Sequence, residues 1–232
     1  MIKKLAFAAG LWAAGTLLVL AAPAQAALIF FDNRADFELA SGLSGITEDF
    51  EEANVGPGGF PEISGPLDAT TDNGIFSAGD IAAGLSISSS GGGNRVAVLG
   101  DGFLGPSTRV GAERFSDLVI ISLNPAVTAI GFDLFATRDS TFGIELFDAV
   151  GGALGATSVT GVNGTTPTFF GVISDMGAIG QLAFGVPFVG ELIDNITFGN
   201  AVAQLPEPGS LTLFGLGLLG LGVAVRRRAQ TR

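Results

Sequence analysis

The side chains of this sequence that could do chemistry are almost all carboxylates. The 232 residues include 22 Asp and Glu but no His and no Cys. Catalysis by a Cys nucleophile or a His-activated serine is therefore excluded, as are the usual zinc, copper and haem sites. Carboxylates remain as general acids and bases, so an enzyme with a carboxylate pair that acts on glycosides stays open as an alternative. We predict that the protein is not an enzyme.

Calcium is the ligand that this residue set suits best, since Ca²⁺ takes six to eight oxygen ligands from carboxylates, amides and carbonyls. In jelly-roll sandwiches the first and last strands often lie side by side, which would bring two acidic segments together. Like charges held that close repel each other unless a cation lies between them. The predicted ligands are Asp49, Glu51, Asp194 and Asn195. The alternative is an ordinary solvated acidic surface.

The charge of the chain is strongly asymmetric. Between Ala27 and Leu205 there are five arginines against 21 carboxylates, a net charge of about −16. Nucleic-acid binding needs clustered Lys and Arg to replace phosphate counterions, so nucleic acid is excluded as a partner. This region also lacks Lys, Trp and Tyr.

The first 26 residues have the layout of a secretory signal peptide. Lys3 and Lys4 precede an apolar run, which ends in small residues at Ala24 and Ala26. This order predicts cleavage by signal peptidase after Ala26 and export of the rest of the chain. The alternative is a retained N-terminal anchor.

Residues 27–205 are predicted to form one all-β domain, an antiparallel β-sandwich of jelly-roll type. Short apolar runs are separated by Gly, Asn, Asp and Pro, and large apolar residues alternate with small or acidic ones, as at Ile130–Leu134 and Phe142–Leu146. Asp32 or Asn33 is predicted to cap one short helix. The Asn73-Gly74 pair predicts a hairpin. The predicted strands are Leu28–Phe31, Ile46–Phe50, Gly84–Ser88, Arg95–Leu99, Leu118–Leu123, Ala129–Phe135, Phe142–Asp148, Ala153–Val159, Thr168–Ile173, Gln181–Phe184 and Leu192–Phe198.

Residues 206–232 differ in character from the domain before them. Pro206, Glu207 and Pro208 are followed by the uncharged apolar run Leu211–Val225 and then by the basic tail 226–232. A 15-residue helix spans about 22 Å, less than the roughly 30 Å of a bilayer core. The basic residues Arg226, Arg227 and Arg228 would stay cytoplasmic under the positive-inside rule, which leaves the acidic domain outside.

This three-part terminus resembles the PEP-CTERM sorting signal. The resemblance implies recognition and cleavage near Pro206–Pro208 by an exosortase, a membrane protease or transpeptidase, in a bacterium that makes exopolysaccharide. It further implies transient anchoring in the inner membrane, followed by release to the cell surface or extracellular matrix. The domain itself more weakly resembles β-rich domains common in such proteins, through Arg34–Phe37, Asp49–Glu51, Gly131–Asp133 and Asp194–Phe198, and these patterns imply no activity.

Together these features predict a secreted structural or binding component associated with exopolysaccharide. The alternative is a calcium-supported carbohydrate-binding module. Because Trp and Tyr are missing from the predicted mature chain, the stacking surface for a sugar would have to be Phe60 or Phe169-Phe170.

Overall fold

The computed structural model describes residues 27–202, which form two antiparallel sheets packed face to face. This confirms the predicted β-sandwich. The predicted signal peptide and the sorting segment 206–232 lie outside the described residues. Within 27–202 the single helix has eight residues, and no helix is long and apolar enough to cross a membrane.

The sheets contain seven and six strands. The larger has the order β1-β11-β8-β13-β6-β5-β2, and the smaller has the order β10-β9-β12-β7-β4-β3. The elements are β1 (Leu28–Phe31), α1 (Arg34–Ser41), β2 (Glu62–Ile63), β3 (Leu67–Asp68), β4 (Leu85–Ser89), β5 (Val96–Leu99), β6 (Arg109–Ala112), β7 (Val119–Val127), β8 (Ala129–Ala136), β9 (Ser140–Asp148), β10 (Ala153–Gly161), β11 (Thr168–Ser174), β12 (Ile179–Gly185) and β13 (Glu191–Gly199).

The core between the sheets follows the alternation seen in the sequence. Phe142, Ile144 and Leu146 of β9 are fully buried, whereas the residues between them face solvent. In β8, Phe132 packs at 5.3 Å from the ring centroids of both Phe170 and Phe184. A period of two with one apolar face is what a two-layer sandwich requires.

Helix α1 covers part of the outer face of the seven-stranded sheet. Asn33 is its N-cap, and the Asn33 side chain accepts a hydrogen bond of 3.2 Å from the backbone N–H of Asp36. Phe37 is fully buried on this face against Phe169. A Cβ at Gly171 would lie 2.8 Å from the Phe37 ring, so the helix can pack this closely only because that position is glycine.

Two sequence-based expectations about the backbone are wrong. Residues 46–50 form no strand; Glu48 makes a single bridge to Ile196, and Phe50 has a left-handed φ of 57°. Asn73-Gly74 forms a turn within a loop, in which the Asn73 side chain accepts from the N–H groups of Ile75 and Phe76, and no strands flank it. Strands β2, β3 and β6 were not predicted from the sequence.

Candidate functional site

A buried polar network lies on the outer face of the seven-stranded sheet, next to the N-terminal end of helix α1. Its centre is Asp194 of β13, which is 1% exposed. One carboxylate oxygen of Asp194 accepts from the Ser107 hydroxyl at 2.7 Å, and the other accepts from the N–H of Asn195 at 2.7 Å. Burial raises the pKa of Asp194 to about 6, and the charge of Glu51 adds to the rise, whereas the hydrogen bonds and Arg109 oppose it.

Arg109 is the cation of this network and is 2% exposed. Its guanidinium carbon lies 3.5 Å from the centroid of the Phe135 ring, and Nη1 donates to the carbonyl of Leu104. Burial lowers the pKa of Arg109, while the charges of Asp194 and Asp133 oppose that shift. A Cβ at Gly105 would lie 2.3 Å from Arg109 Nη2, so the loop 100–108 crosses directly over the guanidinium.

An ion pair connects the network to helix α1. Arg34 Nη2 lies 3.0 Å from Asp133 Oδ1 and donates to the carbonyl of Asn195 at 2.7 Å. The Asn195 amide in turn donates to Asp133 Oδ2 at 2.9 Å. Asn195 has a φ of 52°, a left-handed conformation that Asn tolerates better than most residues. Through Asn195 and Asp194, hydrogen bonds therefore connect Arg34 of the helix to Ser107 of the loop 100–108.

The anchored loop carries Phe103, which stacks on Phe60 of the loop before β2 to form an exposed aromatic pair that we call the Phe60–Phe103 platform. The two rings stack with centroids 5.4 Å apart and an interplanar angle of 22°. Phe60 is 43% exposed and Phe103 is 45% exposed. The pair therefore leaves apolar aromatic area in contact with solvent.

Two glycines allow the loops that carry these rings to approach each other. Gly100 donates to the carbonyl of Gly59 at 3.0 Å, and Gly58 donates to the carbonyl of Asp101 at 2.6 Å. A Cβ at Gly59 would lie 2.7 Å from Val55 Cγ1, and a Cβ at Gly100 would lie 2.7 Å from the Gly56 carbonyl oxygen. The platform is therefore fixed by backbone contacts as well as by stacking.

The other phenylalanines considered as a stacking surface are not exposed. Phe169 and Phe170 are both buried. They lie in a groove of about 290 Å³ between β1 and β10, together with Phe30, which is 40% exposed. Of the aromatic residues predicted to stack on a sugar, the structure leaves Phe60 exposed.

The structure divides the four predicted calcium ligands between two places. Glu51, Asp194 and Asn195 belong to the buried polar network beneath the loop 100–108, where Glu51 Oε1 accepts from the N–H of Thr108 at 2.8 Å. Asp49 lies instead with Glu48 and Glu52, and ligand atoms of these three residues are within 4.8 Å of one another.

The acidic cluster of Glu48, Asp49 and Glu52 borders a cavity of about 350 Å³. The Glu48 oxygens accept from the N–H groups of Phe50 at 2.8 Å and Ala82 at 2.7 Å. Burial raises the pKa of Glu48, and the neighbouring Glu52 and Asp49 charges add to that rise. Calcium binding stays a prediction.

Three residues of the site were missed by the sequence analysis: Arg109, Ser107 and Phe103. Arg109 had a signal, because it is one of only five arginines in residues 27–205 and is followed by Val-Gly-Ala. Phe103 had none, since a phenylalanine in a loop is as often buried as exposed.

Residues 204–228 match the PEP-CTERM protein-sorting motif. The chain is a PEP-CTERM domain-containing protein, an exosortase substrate. It is accordingly a secreted protein that passes the membrane and is directed to the cell surface.

No curated protein matches this chain. Among solved structures, a mutant of the carbohydrate-binding module CBM29-2 is similar over 64% of this chain and 98% of its own, with 12% identity and a TM-score of 0.35. The enzymatically active domain of bacteriophage CBA120 tailspike protein 4 is similar over 50% of this chain, with 14% identity and a TM-score of 0.32. A family 43 arabinoxylan arabinofuranohydrolase from Bacillus subtilis is similar over 40%, with 13% identity and a TM-score of 0.28. The chain spans 19% and 21% of the last two.

Proposed function

We propose that the processed domain is a non-catalytic component of the cell surface that binds exopolysaccharide through the Phe60–Phe103 platform. The observation that carries this proposal is that two stacked rings, each nearly half exposed, lie on two loops joined by backbone hydrogen bonds, and that Arg109 and Asp194 fix the loop of Phe103 from below. Exposing aromatic area to water costs free energy. A rigid aromatic surface binds the C–H face of a sugar ring without first losing conformational freedom.

The charge of the domain favours an uncharged polymer as the ligand. With five arginines against 21 carboxylates, the domain repels uronic-acid or sulfated chains at low ionic strength. A neutral polysaccharide carries no such penalty, and its hydroxyls can bond to backbone groups of the surrounding glycine-rich loops. We therefore propose that the ligand is a neutral exopolysaccharide in the extracellular matrix.

Binding is favoured over hydrolysis at this platform because the carboxylates beneath it are covered. A glycosidase needs two carboxyl groups that both reach the scissile bond. Asp194 lies beneath the loop 100–108, and Asp133, its register partner on β8, is bonded to Arg34. Neither of these carboxylates is placed to contact a polymer chain.

The binding proposal predicts that the platform residues control retention on immobilised neutral glycans. Phe60→Ala and Phe103→Ala should each weaken binding about two- to tenfold, since aromatic contacts contribute roughly 0.5–1.5 kcal/mol. Affinity electrophoresis of the processed protein in gels containing neutral polysaccharides measures this. Phe115→Ala is the matched control, because Phe115 is 52% exposed on a different loop. The proposal would be overturned if the unaltered protein bound no neutral glycan. It would also be overturned if the variant with both Phe60→Ala and Phe103→Ala bound as tightly as the unaltered protein.

The acidic cluster of Glu48, Asp49 and Glu52 favours a second proposal, that calcium supports the same module. Three carboxylates this close would be stabilised by an ion that takes oxygen ligands. A ligand that binds only the folded state at a hundredfold excess over Kd contributes about 2.7 kcal/mol, which corresponds to a melting shift of several degrees.

We therefore expect millimolar calcium to raise the melting temperature relative to EDTA, and Asp49→Asn to remove that increment. Exposed Asp72→Asn should retain it. Thermal unfolding followed by far-UV circular dichroism measures the increment in each variant. If Asp194→Asn alone loses the rise in melting temperature, the ion lies in the buried polar network beneath the loop 100–108 instead. Identical unfolding curves with calcium and with EDTA would end the calcium proposal.

A further inference from the structure

The two sheets have four edge strands, and three of them are short. The strands β2 and β3 have two residues each, and β1 has four. On β2, Glu62 is paired with Arg95 at 2.8 Å, so that edge also carries charge. Short length and charge are the usual means by which proteins keep sheet edges from pairing with other chains.

Strand β10 is the exception. Its nine residues, Ala-Leu-Gly-Ala-Thr-Ser-Val-Thr-Gly, include no charge and no proline, and within the described residues it has a ladder partner on one side only, β9. Ala156, Ser158 and Thr160 are exposed, whereas Thr157 and Val159 are half-buried. The backbone of residues 156–159 is therefore flanked by small side chains that would not obstruct another strand, whereas the Thr160 carbonyl already accepts from the Thr168 hydroxyl at 3.2 Å.

The groove beside this edge adds apolar surface. Thr157, Ser158 and Val159 form one side, and Phe30 of β1 forms part of the other. The Phe30 ring lies 6.2 Å from the ring of Phe170 and is 40% exposed. A strand added along β10 would thus gain main-chain hydrogen bonds and cover apolar area at the same time.

We propose that β10 is a self-association surface, on which the β10 strand of a second copy of this chain pairs antiparallel. Two observations favour a second copy as the occupant. The domain carries about 16 net negative charges, so most faces of two copies repel each other, yet β10 brings no charge to the contact. An antiparallel strand is also self-complementary, because a two-fold axis presents the same Ser and Thr side chains from both sides. The product is a closed dimer in which the two six-stranded sheets become continuous.

Sedimentation velocity of the processed protein tests this inference. The unaltered protein should form dimers as its concentration rises. Ser158→Lys should raise the dimer dissociation constant at least tenfold, because it places like charges across the two-fold contact. Ser86→Lys is the matched control, since Ser86 is a serine on the outer face of β4 in the same sheet, paired with β3 and β7 and away from β10. It should leave the dimer unchanged.

Hydrogen exchange of the unaltered protein provides a readout that needs no variant. Amides of residues 153–161 should exchange more slowly as concentration rises, whereas amides of β4, at the far side of the same sheet, should not change. A protein that stays monomeric into the millimolar range would overturn the proposal. So would a dimer whose concentration-dependent protection lies elsewhere, or one that Ser158→Lys leaves intact.

Discussion

Glu191→Gln should stabilise the domain above neutral pH and remove most of the pH dependence of its unfolding. Glu191 is 2% exposed, and neither of its carboxyl oxygens has a hydrogen-bond partner among the described residues. Burial raises the pKa of Glu191 from 4.5 to about 8, and the charge of Asp117 contributes in the same direction. Between pH 4.5 and 8, Glu191 is therefore a neutral carboxyl group in the folded protein and a carboxylate in the unfolded chain.

The direction of the effect follows from proton linkage. Below pH 4.5 both states are protonated, and the stability associated with the neutral group is fully present. As pH rises towards 8, the unfolded chain ionises first, so the free energy of unfolding falls. At about 1.4 kcal/mol per pKa unit the loss between pH 4.5 and 8 is about 5 kcal/mol. Asp194, raised from 3.8 to about 6, adds a loss of the same sign at lower pH.

Urea unfolding of the unaltered protein and of Glu191→Gln at about pH 5 and about pH 9 measures this. The unaltered protein should be markedly less stable at the higher pH, and the glutamine variant should differ much less between the two. Glu145→Gln, at an exposed position on β9, should behave like the unaltered protein. An unchanged pH slope in Glu191→Gln would contradict the assignment of Glu191 as the titrating group.

Glu207→Ala should abolish delivery of the protein to the cell surface. Glu207 is the carboxylate between the two prolines of the matched motif. Without that carboxylate, exosortase should fail to cleave, and the chain should accumulate uncut in the inner membrane.

Cell fractionation followed by immunoblotting measures the two pools. Thr231→Ala lies beyond the matched motif and should be sorted normally. Normal amounts of surface protein from the Glu207→Ala strain would show that the motif is read differently.

Much of the sandwich was predictable because its inner face imposes a period of two. Phe142, Ile144 and Leu146 alternate with small or polar residues, and their burial is confirmed. Strand β6 was missed because the loop 100–108 covers its outer side, so both faces are buried and no alternation is visible. Strands β2 and β3 were missed because two residues are too few to show any period.

The candidate site was predictable in part, and the error in the predicted set of calcium ligands has one local cause. In a continuous strand, Asp49 and Glu51 would point to the same face and could share an ion. The left-handed backbone at Phe50 interrupts the extended chain between them, so Glu51 lies near Asp194 while Asp49 lies with Glu48 and Glu52. Neither residue type nor spacing signals a positive φ at phenylalanine, where it is uncommon.

The most direct test of the central claim, that this is an exported and exosortase-processed surface protein, is the intact mass of the material released from the surface of its native host. The account predicts a chain that begins at Ala27 and ends before the apolar run Leu211–Val225, without any of the terminal arginines. Its absorbance near 280 nm should be very low, because Trp12 is removed and the chain has no Tyr. A surface protein whose mass includes Arg226–Arg232 would contradict the account.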